Sequence, residues 1–148
     1  MSIIASKIKG ITISIGGETT GLQKALGDVN KKTKDIQSEL KQVERLLKLD
    51  PKNVDLLSQK QKLLAEAVAN SKEKLDRLKT AQEQVNEQFR KGEISEEQYR
   101  AFQREVARAE QELGKFEKQL STTVKTTETW KDKLDKAQNS LKDVGAKM

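Results

Sequence analysis

Cysteine and histidine are both absent from the 148 residues of this chain. No disulfide can form, and neither thiolate nor imidazole is at hand to ligate a metal. Nucleophilic catalysis by Cys–His or Ser–His pairs is excluded on the same ground. Proline occurs once, and aromatic residues make up 3% of the chain. Apolar residues reach only 34%, short of the roughly 45–50% of an average globular domain, so a thick globular core is out of reach. No apolar run approaches the ~18 residues that a membrane span requires. The opening stretch MSIIASKIKGITISIGG is too short in its apolar run, and too interrupted by Lys7 and Lys9, for a signal peptide.

What the chain has in quantity is charge, at 35% of residues with a net value of +6. Acids and bases alternate along its length, as on a solvated helix surface, and no Lys/Arg block forms a basic arm. That pattern argues against a nucleic-acid partner. A chain this polar can still build a thin core, because a coiled coil needs apolar residues at only about two positions in seven. Disorder is the competing outcome for such a composition, and regular apolar spacing argues against it.

Near the N-terminus Ile11, Ile13 and Ile15 alternate with Thr12 and Ser14, the period of a strand with one apolar face, and Gly16-Gly17 ends it. Nothing else reads as a strand. A lone strand cannot satisfy its own backbone, so these three isoleucines form a candidate interaction edge. Thr19 or Thr20 is then expected to cap a first helix over residues 20–49. Its apolar positions Leu22, Leu26, Val29, Ile36, Leu40, Val43 and Leu47 follow alternating steps of four and three, with Thr33 the polar exception.

Asp50 and Pro51 punctuate the chain as an expected N-cap and first helical residue. A second helix over 51–91 carries Leu64, Leu75, Leu78, Val85 and Phe89 on its seam, with polar Gln61, Ser71 and Gln82 interspersed. Gly92 supplies the next stop. Ser95 and Gln98 then form a capping box, with Ile94 and Tyr99 as a hydrophobic staple. The third helix, over 96–144, has the seam Tyr99, Phe102, Val106, Leu113, Phe116, Leu120, Trp130, Leu134 and Leu141. Five threonines between residues 122 and 129 make a soft spot in one continuous helix.

Short connections imply antiparallel neighbours. The fold expected is all-α: a long antiparallel coiled coil of three helices over residues 19–148, preceded by one short strand in an N-terminal arm, 1–18. Extra apolar residues beside the seam (Leu56, Leu63, Ala65 and Ala69) place the first helix on the first half of the second. Thin seams and a lone strand both point to a homo-oligomer. No catalytic constellation, phosphate-binding loop, metal site or cofactor site is legible. A non-enzymatic protein without a small-molecule substrate is expected.

Three segments carry a family resemblance. GITISIGGETTGLQKAL (10–26) joins a strand to an amphipathic helix, LKLDPKNVDLLSQKQKLL (47–64) joins two helices through Asp-Pro, and KGEISEEQYRAFQREV (91–106) opens the third. In this order they resemble the N-terminal region of tail tape measure proteins of phages and prophages of Gram-positive bacteria. The resemblance covers nearly the whole chain. It implies a structural role in tail assembly: filling the tail lumen, setting its length, and leaving as DNA is ejected. The implied partners are the tail tube, the tail tip or baseplate, and assembly chaperones. The implied location is the virion tail lumen after assembly in the host cytoplasm. Some members carry peptidoglycan-cleaving domains, of which this chain shows no sign. Tape measures are usually far longer, so the chain is expected to be a fragment. The alternatives are a generic coiled-coil adaptor or scaffold and, third, a nucleic-acid-associated coiled coil.

Overall fold

A computed structural model describes the backbone of residues 8–147 and the side chains of residues 8–140. The order of elements is β1 (Thr12–Ile15), β2 (Glu18–Gly21), α1 (Leu22–Ala25), α2 (Gly27–Leu49), α3 (Val54–Arg90) and α4 (Glu96–Lys147). The chain is mostly helical, with one two-stranded antiparallel sheet.

The strand expected to stand alone is half of a hairpin. Ile13 pairs with Thr20 and Ile15 with Glu18 across Gly16-Gly17, both at positive φ. A two-residue turn with positive φ at both positions matches the right-handed twist of paired strands, and glycine adopts it without steric penalty. Thr19 and Thr20 therefore serve as strand residues and not as helix caps. The boundary drawn after residue 18 divides a hairpin whose second strand runs to Gly21. Polar Glu-Thr-Thr-Gly gave no alternation to read, and the pairing comes from the turn.

The first helix is also corrected. It begins at Leu22 and is interrupted at Leu26, a single turn residue at φ −98°, ψ −2°, before α2 resumes at Gly27. The amide of Leu22 donates to the carbonyl of Ile11 at 2.8 Å, tying α1 to the hairpin. Leu22 and Leu26 are both fully buried, and the break lets one short turn seat both.

At the α2–α3 connection the cap is Asn53, not Asp50. The Asn53 side chain accepts from the amide of Leu56 at 3.0 Å and donates to Asp50 Oδ2 at 3.1 Å. The Asn53 amide reaches back to the Asp50 carbonyl at 3.2 Å. Pro51 thus occupies the second position of a turn, which its fixed φ suits as well as it suits the first turn of a helix. The α3–α4 connection forms as expected. Gly92 lies at φ 75°, its amide bonds to the carbonyl of Phe89, and that of Glu93 bonds to Gln88. This is a Schellman termination. The Ser95 amide donates to Gln98 Oε1 at 2.8 Å and the Gln98 amide to Ser95 Oγ at 3.1 Å, completing the capping box. Ile94 is buried beside it.

Cross-helix contacts run antiparallel. Asp28, Thr33 and Glu44 of α2 meet Arg77, Asn70 and Lys60 of α3 in reverse order. Asn86 and Lys79 of α3 likewise meet Tyr99 and Glu110 of α4. Two apolar clusters result. The larger joins Ile8, Ile11, Ile13, Leu22, Leu26 and Val29 to Leu78, Val85, Ile94 and Phe102. The smaller joins Ile36, Leu40 and Val43 to Leu63, Leu64, Ala67 and Phe116, drawing on α2, α3 and α4.

The buried face of α3 keeps Leu64, Ser71, Leu78 and Val85 of the expected seam and widens to one side of it. Ala67 and Ala81 are buried where Val68 is partly covered and Gln82 is exposed, while Ala65 and Ala69 face solvent. A helix between two neighbours buries the face that bisects them, and a single-seam reading cannot locate that bisector. On α4, Glu105 is buried and Val106 half-buried. Phe89 and Leu134 are exposed despite their seam positions, and Leu75, Leu47, Tyr99, Leu113, Leu120 and Trp130 are half-buried. The Leu141 side chain lies outside the described residues. The threonine-rich stretch stays helical. Thr123, Thr126, Thr127 and Thr129 each donate a hydroxyl hydrogen to the carbonyl four residues earlier, at 2.8–3.0 Å.

Candidate interaction surfaces

Of the three isoleucines expected to present an apolar edge, Ile11 and Ile13 are buried in the larger cluster and only Ile15 is open, at 53% exposure. The free backbone of β1 is also taken. The Ser14 amide donates to Gln84 Oε1 at 2.6 Å and Gln84 Nε2 donates back to the Ser14 carbonyl at 3.0 Å. Gln88 Nε2 donates to the Thr12 carbonyl. One turn apart on α3, these two glutamines act as the next strand would, presenting amides at the spacing of alternate residues. Sequence reading missed them because an i, i+4 glutamine pair looks like any solvated helix face.

Arg77 anchors the junction where α1, α2 and α3 meet. Its guanidinium donates to Asp28 Oδ1 at 2.7 Å, to Glu73 Oε1 at 2.9 Å and to the Ala25 carbonyl at 2.9 Å. The hydrogen bond from Arg77 holds the Asp28 carboxyl below the usual carboxylate range, and the same bond raises Arg77. Beside this hub a groove of about 790 Å³ is lined by Ile13, Ile15, Ala25 and Ala81, with Asp28, Asp76 and Arg77 on its rim. At the hairpin between α3 and α4, Phe89 stacks on Tyr99 with ring centroids 4.3 Å apart. Arg90 bonds Glu87 there and lowers its carboxyl.

At the other end of the molecule the coverage thins. Leu46 and Leu49 on α2 are exposed, Leu49 at 84%, as is Leu134 on α4. The ammonium groups of Lys52 and Lys133 lie over the Trp130 ring, 5.0 and 4.5 Å from its centroid. Between the two ends sits a buried polar layer. Asn70 Nδ2 donates to the Val29 carbonyl at 2.9 Å and to Thr33 Oγ1 at 2.7 Å. Thr33 had been expected as a polar seam residue, whereas Asn70 had not.

Among the described residues no group of three or more acidic side chains could hold a metal ion, and no helix is long and apolar enough to cross a membrane. Acidic side chains do neighbour one another along the helices, as Glu83 and Glu87 or Glu93 and Glu97 do, but they lie at the surface, with only Glu87 of these four partly covered. Comparison with known proteins finds no matching family model, no similar curated protein and no similar solved structure.

Proposed function

We propose that this chain is a structural, non-enzymatic protein of phage tail assembly, corresponding to the N-terminal region of a tape measure protein. In this reading α2, α3 and α4 act as a three-helix antiparallel coiled coil. The observation that carries it is the ordered set of segments 10–26, 47–64 and 91–106. Each coincides with a junction of the fold: the hairpin entering α1, the Pro51 turn and the Schellman termination with its capping box. The proposed partners are tail tube, tail tip or baseplate and chaperone proteins, and the proposed location is the tail lumen. Exposed Leu46, Leu49 and Leu134 at one end support self-association there.

Tail length tests the reading. One heptad is removed from each arm (37–43, 61–67 and 116–122) in the gene carrying this sequence, which keeps the three helices in register. If the helices stay bundled, tails shorten by about 10 Å; if the chain is drawn out as one helix, by about 31 Å. Averaged electron micrographs resolve the two. Tails of unchanged length overturn the length-setting role, and purified tails without the chain overturn the assignment altogether.

A further inference from the structure

The layer that joins Asn70 of α3 to Thr33 of α2 differs from the packing on either side of it. Asn70 is 6% exposed, and its amide donates to the Val29 carbonyl at 2.9 Å and to Thr33 Oγ1 at 2.7 Å. The Thr33 hydroxyl in turn donates to the Val29 carbonyl at 3.0 Å, which leaves its lone pairs for Asn70. Among the described residues, the other side-chain hydrogen bonds between helices lie at the surface or at the Arg77 hub. The rest of the α2 seam is apolar, with Leu26, Val29, Ile36, Leu40 and Val43 all buried. Apolar contacts on this spacing recur after a shift of seven residues, so they align two helices without choosing between heptads. The polar layer does choose. Seven residues before Thr33 stands Leu26, and seven after it stands Leu40. After either shift a backbone carbonyl recurs opposite Asn70, but the hydroxyl does not, and one amide hydrogen is left buried without an acceptor.

We propose that the Asn70–Thr33 layer is a register lock, which limits the packing of α2 on α3 to the native alignment, within one chain and between copies. The short turn at Pro51 holds that alignment only while α2 folds back on its own α3. When α2 meets the α3 of a second copy, the turn no longer sets the offset, and the polar layer is what distinguishes one heptad from the next. Its contribution to stability is small by comparison. The buried amide exchanges hydration for two hydrogen bonds, a modest net gain, whereas leucine and valine of like shape fill the same space with no polar group to satisfy. The layer thus selects an alignment more than it strengthens the core. The proposal does not depend on the tail assignment.

The test makes the layer apolar, as Asn70→Leu/Thr33→Val in the whole chain. Because the chain has no cysteine, spin labels can be placed at Glu39→Cys on α2 and Lys62→Cys on α3, both exposed positions. Doubly labelled chains diluted into unlabelled ones report pairing within a chain. A mixture of the two singly labelled chains reports pairing between copies. The parent is expected to sediment as one species and to give one narrow distance within the chain. Asn70→Leu/Thr33→Val should melt no lower than the parent, yet sediment as several species. Its mixed labels should show distances spread by about 10 Å, the length of one heptad. Thr123→Val/Thr127→Val is the control. These buried hydroxyls bond only carbonyls of their own helix, so their loss should leave one species and one distance. The proposal is overturned if Asn70→Leu/Thr33→Val keeps the single species and narrow distance, if the control scatters as much, or if the parent already scatters. Melting well below the parent also overturns it, because the layer would then be a stabilising contact and not a lock.

Discussion

The two ends of the molecule are built on the same helices but held by different means. Around the hairpin, α3 and α4 are covered by a second kind of structure. Ile8, Ile11 and Ile13 fill the space beside Phe102 and Val85, the strand backbone is closed by Gln84 and Gln88, and Arg77 bridges three helices. Toward the Pro51 turn there is only side-chain packing between helices, and it ends in exposed leucines. The buried amide of Asn70 separates the two regions. A heptad seam alone therefore gives a long contact of modest depth. The deep part of the core exists because a short non-helical segment fills the third side.

The largest effect should separate the ends directly. Phe102→Ala empties a fully buried ring site in the larger cluster and should cost about 3–5 kcal/mol. Phe116→Ala, in the smaller cluster where fewer neighbours surround the ring, should fall at the low end of that range, about 3 kcal/mol. Urea denaturation followed by circular dichroism measures both. Equal losses, or a greater loss at Phe116, would show that the hairpin adds no depth to the core.

The glutamine edge is next. Gln84→Ala removes both bonds to Ser14 and leaves a partly exposed strand backbone, so about 1–2 kcal/mol should be lost. Amide exchange at Ser14 should rise sharply while that of α2 near Leu40 stays unchanged. Uniform acceleration across both regions would mean that the hairpin and the helices open as one unit. Smaller again are the caps. Ser95→Ala and Asn53→Ala should each cost about 1 kcal/mol by thermal unfolding. The Ser95 change should be the larger, because the capping box holds two amides.

These contrasts also mark what could be read in advance. The Gly92 stop, the Ser95–Gln98 box and the unbroken α4 were legible, because each depends on residues within one or two turns of one another. Pairing of β1 with Glu18–Gly21 was not, since polar strand residues carry no alternation and two glycines mark the end of a strand as readily as a hairpin turn. Nor was the burial of Asn70, Ala67 and Ala81. Their side depends on where α2 and α4 stand around α3, which no periodicity within α3 encodes. Likewise Asp50 and Asn53 are both competent caps by type. The choice fell to Asn53 because Pro51 fits the turn, which leaves Asp50 three residues too early.

The smallest expected effect concerns pH, and it too differs between regions. Asp28 lies in the hub beside the hairpin and its carboxyl is lowered, first by the hydrogen bond from Arg77. A carboxylate whose folded value is depressed adds stability that is present above its unfolded value, about 3.9, and is lost as pH falls through the folded one. Asp28 is solvent-exposed, so the contribution is screened and small. Arg77 is raised and stays charged throughout this window. Glu87, lowered by Arg90 at the α3–α4 turn, follows the same sign. Acidification from pH 5 to pH 2 should therefore loosen the hairpin end first. Carbon-detected NMR should find Asp28 titrating below the reference value in the parent chain and returning toward it in Arg77→Leu. Exchange at Ser14 and Ala25 should quicken over the same interval, while amides around Leu64 hold. An Asp28 titration unmoved by Arg77→Leu would show that the guanidinium does not hold the carboxylate in solution, and loosening that starts at Leu64 would reverse the order of the two ends.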